Sequence, residues 1–163
     1  MEVTVRVART EQDWEQALAV IRSVYVGEGY TPADRAESFM RREVLEPEGE
    51  MLMAVRADGA VIGATLFLHE GSRHHQVAMP GEREFRILAV LPKARGSGAG
   101  WALVHACMEH AVADDALGLV LWTRPNMLAA QRLYERLGFV REPERDEDDP
   151  RGFKRLVYCR VFF

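Results

Sequence analysis

Val3, Val5 and Val7 share one parity, with Thr4 and Arg6 between them, and the alternation predicts an opening strand with one buried face. Thr10 and Asp13 then form a capping-box pattern, with Asp in place of the usual Glu. Trp14, Leu18, Ile21 and Tyr25 follow at helical spacing. Pro32 marks the first position of a second predicted helix, which carries Phe39 and Met40 and stops before Pro47. Two apolar runs, 51–57 and 60–68, flank Asp58-Gly59 and predict a hairpin closed by a two-residue turn. After the polar stretch 69–81, taken as a loop, residues 84–90 read as a central strand ending at Leu91-Pro92.

The second half alternates. A long helix begins in the glycine-rich segment 95–100 and runs to about residue 113. Residues 118–123 read as a short, largely apolar strand, best understood as buried. Asn126 is placed to cap a helix over 127–137, and Gly138 to end it in a left-handed conformation. Strands near 139–141 and 153–161 enclose the charged stretch 142–151. There is no repeat, low-complexity tract or linker. The order β-α-α-β-β-β-α-β-α-β-β predicts a single α/β domain over 1–163, a mixed sheet with helices on both faces.

Composition narrows the function classes. The chain has 163 residues, enough for about one domain with a substantial core, and its 48% hydrophobic and 28% charged content argues against long disorder. A net charge of -4 leaves no basic footprint, so nucleic acid is not an expected partner. Only Lys93 and Lys154 are lysines, against 19 arginines, which reads as a compositional bias. Cys107 and Cys159 lie far apart with no CxxC pairing, so buried free thiols and a cytoplasmic location are expected. The first seven residues are too few and too charged for a secretion signal, and no apolar run nears the roughly 20 residues needed to span a bilayer, so no membrane is expected.

The glycine segment is the strongest chemical signal. Three glycines in five residues, Gly96, Gly98 and Gly100, let backbone approach a ligand closely. The first-turn amides of the following helix lack internal partners and, with the helix dipole, make a site for phosphate. A ligand-free strand-to-helix turn is the alternative. A dinucleotide fingerprint requires GxGxxG, but the third position after Gly98 is Trp101, and no ribose-binding carboxylate falls about 20 residues on. A GxxxxGK[ST] phosphate loop is absent as well.

The run Leu88-Ala89-Val90-Leu91-Pro92-Lys93-Ala94-Arg95-Gly96-Ser97-Gly98-Ala99-Gly100 resembles motif A of the GNAT N-acetyltransferase superfamily, a strand and V-x-P-like turn leading into R/Q-x-x-G-x-G/A. Residues 126–139, with Asn126, Ala129, Tyr134, Gly138 and Phe139, are similar to the same family's N-x-x-A…Y-x-x-x-G-F segment, in the right order and at the right separation. The resemblance implies the GNAT fold, a mixed, mostly antiparallel sheet flanked by helices, and acetyl transfer from acetyl-CoA to a primary amine in a ternary complex without a metal. It further implies pyrophosphate binding by Arg95, Gly96, Ser97, Gly98, Ala99 and Gly100. Leu88, Ala89 and Val90 would align the pantetheine arm, with Asn126, Ala129 and Tyr134 contributing from the later helix. The Leu88 amide would then polarise the thioester, Tyr134 would serve as general acid, and Glu84 would be the base, counted on the same strand parity as Arg86, Leu88 and Val90. Glu82 is the fallback base.

The resemblance also implies acceptor selection in 25–42, where Tyr25, Glu28 and Tyr30 offer aromatics and a carboxylate for an amine of a small molecule or peptide. His69, His74 and His75 lack ligand-like spacing to Cys or carboxylate and read as a polar loop, with no metal site expected. His105 and His110 read as structural residues of the long helix. The acidic run from Glu142 to Asp149 reads as a solvated loop, or as an attraction for a cationic amine. The apolar end Val161-Phe162-Phe163 suits a homodimer face or core packing equally. The rival to an enzyme is a non-catalytic acyl-CoA binding or sensing domain.

Overall fold

The protein, a computed structural model, is described over residues 2–162; Met1 and Phe163, the latter at the end of the suggested dimer face, lie outside the described residues. The elements in chain order are β1 (Val3–Val7), α1 (Glu11–Tyr25), α2 (Ala33–Phe39), α3 (Arg42–Leu45), β2 (Gly49–Arg56), β3 (Val61–Leu68), β4 (Glu82–Val90), α4 (Ala99–Ala113), β5 (Gly118–Thr123), α5 (Leu128–Arg136), β6 (Val140–Arg141), β7 (Glu147–Asp148) and β8 (Lys154–Val161). The sheet runs β1-β2-β3-β4-β5-β8-β6, with β7 paired to β8. Every pairing is antiparallel except β4 with β5.

Strand parity sorts the core into two layers. Met51, Met53, Ala64, Leu66 and Leu68 face α1, where Trp14, Leu18 and Ile21 meet them. Leu52, Ala54, Phe67, Phe85, Leu119 and Leu121 face Leu103, Val104 and Cys107 of α4 and Tyr134 of α5. The capping box forms as expected: the Thr10 hydroxyl accepts the Asp13 amide at 3.0 Å, and the Asp13 carboxylate accepts the Thr10 amide at 3.3 Å. Arg6 adds a two-pronged ion pair to the same carboxylate, holding the Asp13 pKa far below its usual range.

Several boundaries differ from the sequence expectation, each for a local reason. The second helix stops at Met40, whose backbone (φ -85, ψ 65) leaves the helical region and whose side chain is buried in the α1 layer. The β2–β3 connection is wider than two residues: Gly59 donates to the Arg56 carbonyl, Arg56 to Ala60, and the register slips at Val55, so the turn carries a bulge. Asn126 does not cap α5. Met127 occupies that position without a side-chain cap, and Gln131 instead donates to the carbonyls of Arg124 and Pro125.

β4 carries the distortion on which the site depends. Arg86 pairs with Leu66 and Ala89 with Ala64, so three steps on β4 oppose two on β3, and Ile87 adopts φ 56. Arg86 and Ile87 both face the α1 side, while Leu88 and Val90 turn to the α4 side. On its other edge β4 pairs with β5 only from Glu82 to Glu84. Beyond that point β5 continues with β8 alone, so β4 and β5 part and leave a gap between their carboxyl ends.

Candidate active site

Two cavities meet at that gap, sharing Leu88, Met127 and Ala130. The larger, about 530 Å³, follows the end of β4 past the glycine loop to α5. Gly96 (φ 85) and Gly98 (φ 90) both sit in the left-handed region, where a side chain would be strained. A Cβ at either would project into open space, whereas one at Gly100 would come within 3.2 Å of Leu133. The Ala99 amide is taken by the Ser97 hydroxyl at 3.3 Å, but those of Gly98, Gly100 and Trp101 make no hydrogen bond within the described residues. These free donors at the start of a 15-residue helix are chemically suited to an anion.

The smaller cavity lies between β4, β5, α2 and α5, lined by Tyr25, Phe39, Met40, Phe85, Trp122 and Tyr134, among others. Tyr134 is 4% exposed, packed by Phe85, Phe139 and Tyr158 at ring-centroid distances of 6.1, 6.0 and 5.8 Å. Its hydroxyl makes no hydrogen bond to another described residue, and burial drives its pKa far above the usual tyrosine value. Tyr25 donates to the Leu88 carbonyl at 3.1 Å, anchoring the β4 bulge from α1.

The expected site residues separate between the cavities. Leu88 stands at the junction; Val90, Arg95, Gly96, Gly98, Ala99, Gly100, Asn126 and Ala129 line the larger one. Ser97 and Ala89 line neither: Ser97 braces the loop, and Ala89 is buried towards α1. Of the residues assigned to the acceptor, only Tyr25 lines the smaller cavity. Glu28 and Tyr30 lie in the glycine-loop cavity, where Glu28 pairs with Arg95 at 2.7 Å.

Glu84 is misplaced as a base. The bulge breaks the parity that linked it to Leu88, and its fully buried carboxylate accepts the amides of Gln76, Val77 and Ala78 at 3.0 to 3.3 Å. Glu84 therefore fastens the loop 76–78 and lines neither cavity. The fallback, Glu82, is held by Arg145 at 2.8 Å and is likewise outside both. The acidic run is only partly solvated: Asp146 pairs with Arg141, and buried Asp149 with Arg151 and Arg155. His74 stacks on Phe39, and no cluster of three metal-ligating side chains occurs among the described residues. No helix among them is long and apolar enough to cross a membrane.

Sequence reasoning missed Arg86 and Arg124 in the smaller cavity, and Trp101 and Arg136 in the larger. Arg124 closes β5, and side chains just beyond the carboxyl ends of sheet strands commonly face ligands, so its position was a usable signal. Trp101, 48% exposed, stacks on His105 (4.7 Å, 9°).

Comparison with known proteins identifies the family and the fold. The Acetyltransferase (GNAT) family model matches residues 12–139. A mycothiol acetyltransferase of Paenarthrobacter aurescens is 31% identical over 132 residues, 80% of this chain but 39% of that protein. The chain thus spans about two fifths of that relative's length. An acetyltransferase of the GNAT family from Staphylococcus aureus superposes with a TM-score of 0.75 at 17% identity, covering 98% of this chain and 99% of the other. The PaiA N-acetyltransferase of Thermoplasma acidophilum, solved with coenzyme A, gives 0.69 at 16% identity over 99% and 100%. At these identities the structural matches establish the shared fold.

Proposed function

Since the chain belongs to the acetyltransferase (GNAT) family, we propose that it moves an acetyl group from acetyl-CoA to a primary amine by direct attack in a ternary complex. The observation that carries this reading is the meeting of an anion cradle and an enclosed cavity at Leu88, Met127 and Ala130. Among the described residues neither cavity is lined by cysteine or serine, and no histidine or lysine lines either one to activate the Thr31 or Thr123 hydroxyl, which favours direct attack over an acyl-enzyme. The buried free thiols Cys107 and Cys159 suit a reducing compartment such as the cytoplasm.

The free amides of Gly98, Gly100 and Trp101 suit the pyrophosphate of coenzyme A, and the unpaired edge of β4 at Leu88 suits the pantetheine arm. The bound thioester supplies an electrophilic carbonyl and a thiolate leaving group. The amine nitrogen bonds to the carbonyl carbon as the C–S bond breaks. The Leu88 amide donates to the carbonyl oxygen, an interaction worth roughly 3 kcal/mol when preorganised. Tyr134, kept protonated by burial across the neutral and alkaline range, gives its proton to the departing sulfur. With Glu84 tied into a loop, the amine enters as its free base; the proton its nitrogen sheds on forming the amide leaves to water, and the Tyr134 oxygen regains a proton from solvent.

The test is to follow free thiol while the protein is mixed with acetyl-CoA and a panel of amines. Release that requires both partners supports transfer. Tight acetyl-CoA binding with no release on any amine would favour the sensing domain instead.

A further inference from the structure

Four arginines, Arg35, Arg86, Arg124 and Arg151, line the acceptor cavity, and no carboxylate among the described residues lines it. This is unexpected in a chain of net charge -4. The carboxylate expected at the acceptor, Glu28, lies in the other cavity. Arg151 is paired at 2.9 Å with Asp149, a carboxylate it shares with Arg155, and Arg35 is exposed.

Arg86 and Arg124 differ from both. Neither forms an ion pair among the described residues. Arg86 donates to the His74 carbonyl at 3.4 Å and lies over the Phe39 ring at 5.4 Å. Arg124 donates to the Tyr30 carbonyl and lies over the Phe153 ring at 3.9 Å. Each guanidinium keeps further N–H donors for a ligand. Aromatic faces hold a guanidinium in place without neutralising it. Burial lowers the pKa of both side chains, the direction expected where a charge is held away from water. Both charges also act on Tyr25, whose hydroxyl is bonded to Leu88 at the cavity junction.

We propose that the acceptor is an amino acid, its carboxylate held by Arg86 and Arg124 and its amine presented at Leu88. The assignment rests on the acetyl-transfer reading above and specifies its substrate class. Glu84 acts on Arg86 and Asp149 on Arg124 through space without pairing with them directly, and an anion between the two guanidiniums adds the direct partner that each lacks among the described residues. The same positive surroundings disfavour a bound ammonium, which helps the amine to enter as the free base that attack requires.

Matched acceptors test this: each amino acid is compared with its carboxamide and with the amine that lacks the group altogether. In thiol-release assays kcat/KM should favour the carboxylate by about tenfold to hundredfold, the usual range for a charge-assisted hydrogen bond. In Arg124→Gln and, separately, Arg86→Gln that ratio should fall towards one, while acetyl-CoA binding in the other cavity is retained and reports an intact fold. Neutral amines used as well as their amino acids, or a ratio unmoved by both substitutions, would overturn the proposal. Thermal-shift binding of the amino acids separates this assignment from the transfer reading. Amino acids that stabilise the wild type but neither variant, with no thiol released, would sink acetyl transfer and keep the carboxylate site. No turnover and no stabilisation by any amino acid would overturn the carboxylate site itself.

Discussion

The two cavities share Leu88, Met127 and Ala130 but are built from different material. The cofactor groove depends on backbone: positive-φ glycines, free amides at a helix start and an unpaired strand edge. The acceptor cavity depends on side chains brought together from α1, α2, β4, β5, α5 and the loop before β8. In the proposed reading the first arrangement meets a pyrophosphate through backbone groups, which most side-chain exchanges leave in place. The second is specific through side-chain charge and shape, so it can be retuned without disturbing the first.

That contrast predicts unequal responses to mutation. Gly98→Val should have the largest effect, because a β-branched residue at φ 90 is strained and its Cβ enters the groove. We expect acetyl-CoA affinity to fall by about 10²-fold or more, by calorimetry, with amino acid stabilisation in the other cavity preserved. Normal acetyl-CoA affinity in this variant would mean that the cradle has been misassigned.

Glu84→Ala sharpens the comparison from outside both cavities. Removing the carboxylate leaves three amides at 76–78 without their acceptor, a cost of about 3 kcal/mol in denaturant unfolding. The remaining activity should keep the wild-type pH profile, rising towards the pKa of the amine itself. Lost sensitivity to pH at wild-type stability would restore Glu84 as the base.

How much of this was legible in the sequence follows the same division. Backbone-built features are local, so Gly96-Ser97-Gly98 and the capping box at Thr10 could be read from adjacent residues, and strand alternation gave both core layers. Glu84 was misread because counting along β4 assumes an uninterrupted pleat, and one extra residue at Ile87 reverses the face of everything after it. No residue type at 86–88 announces that bulge; the pairing of β4 to both neighbours decides it. Arg86 and Arg124 lie 38 positions apart by their numbers and meet only because β4 and β5 diverge. The acidic run was misjudged for a related reason, since its partners Arg141, Arg151 and Arg155 come into reach only through the β6–β8 and β7–β8 pairings.

The central claim is that transfer occurs where the two cavities meet, with Tyr134 supplying the proton to the departing sulfur. Tyr134→Phe tests it most directly, because it removes only a hydroxyl from a ring packed on several sides. Turnover should fall by about 10²-fold, as general-acid loss predicts, while the acetyl-CoA Kd and the melting temperature stay close to wild type. Turnover equal to wild type would contradict the account.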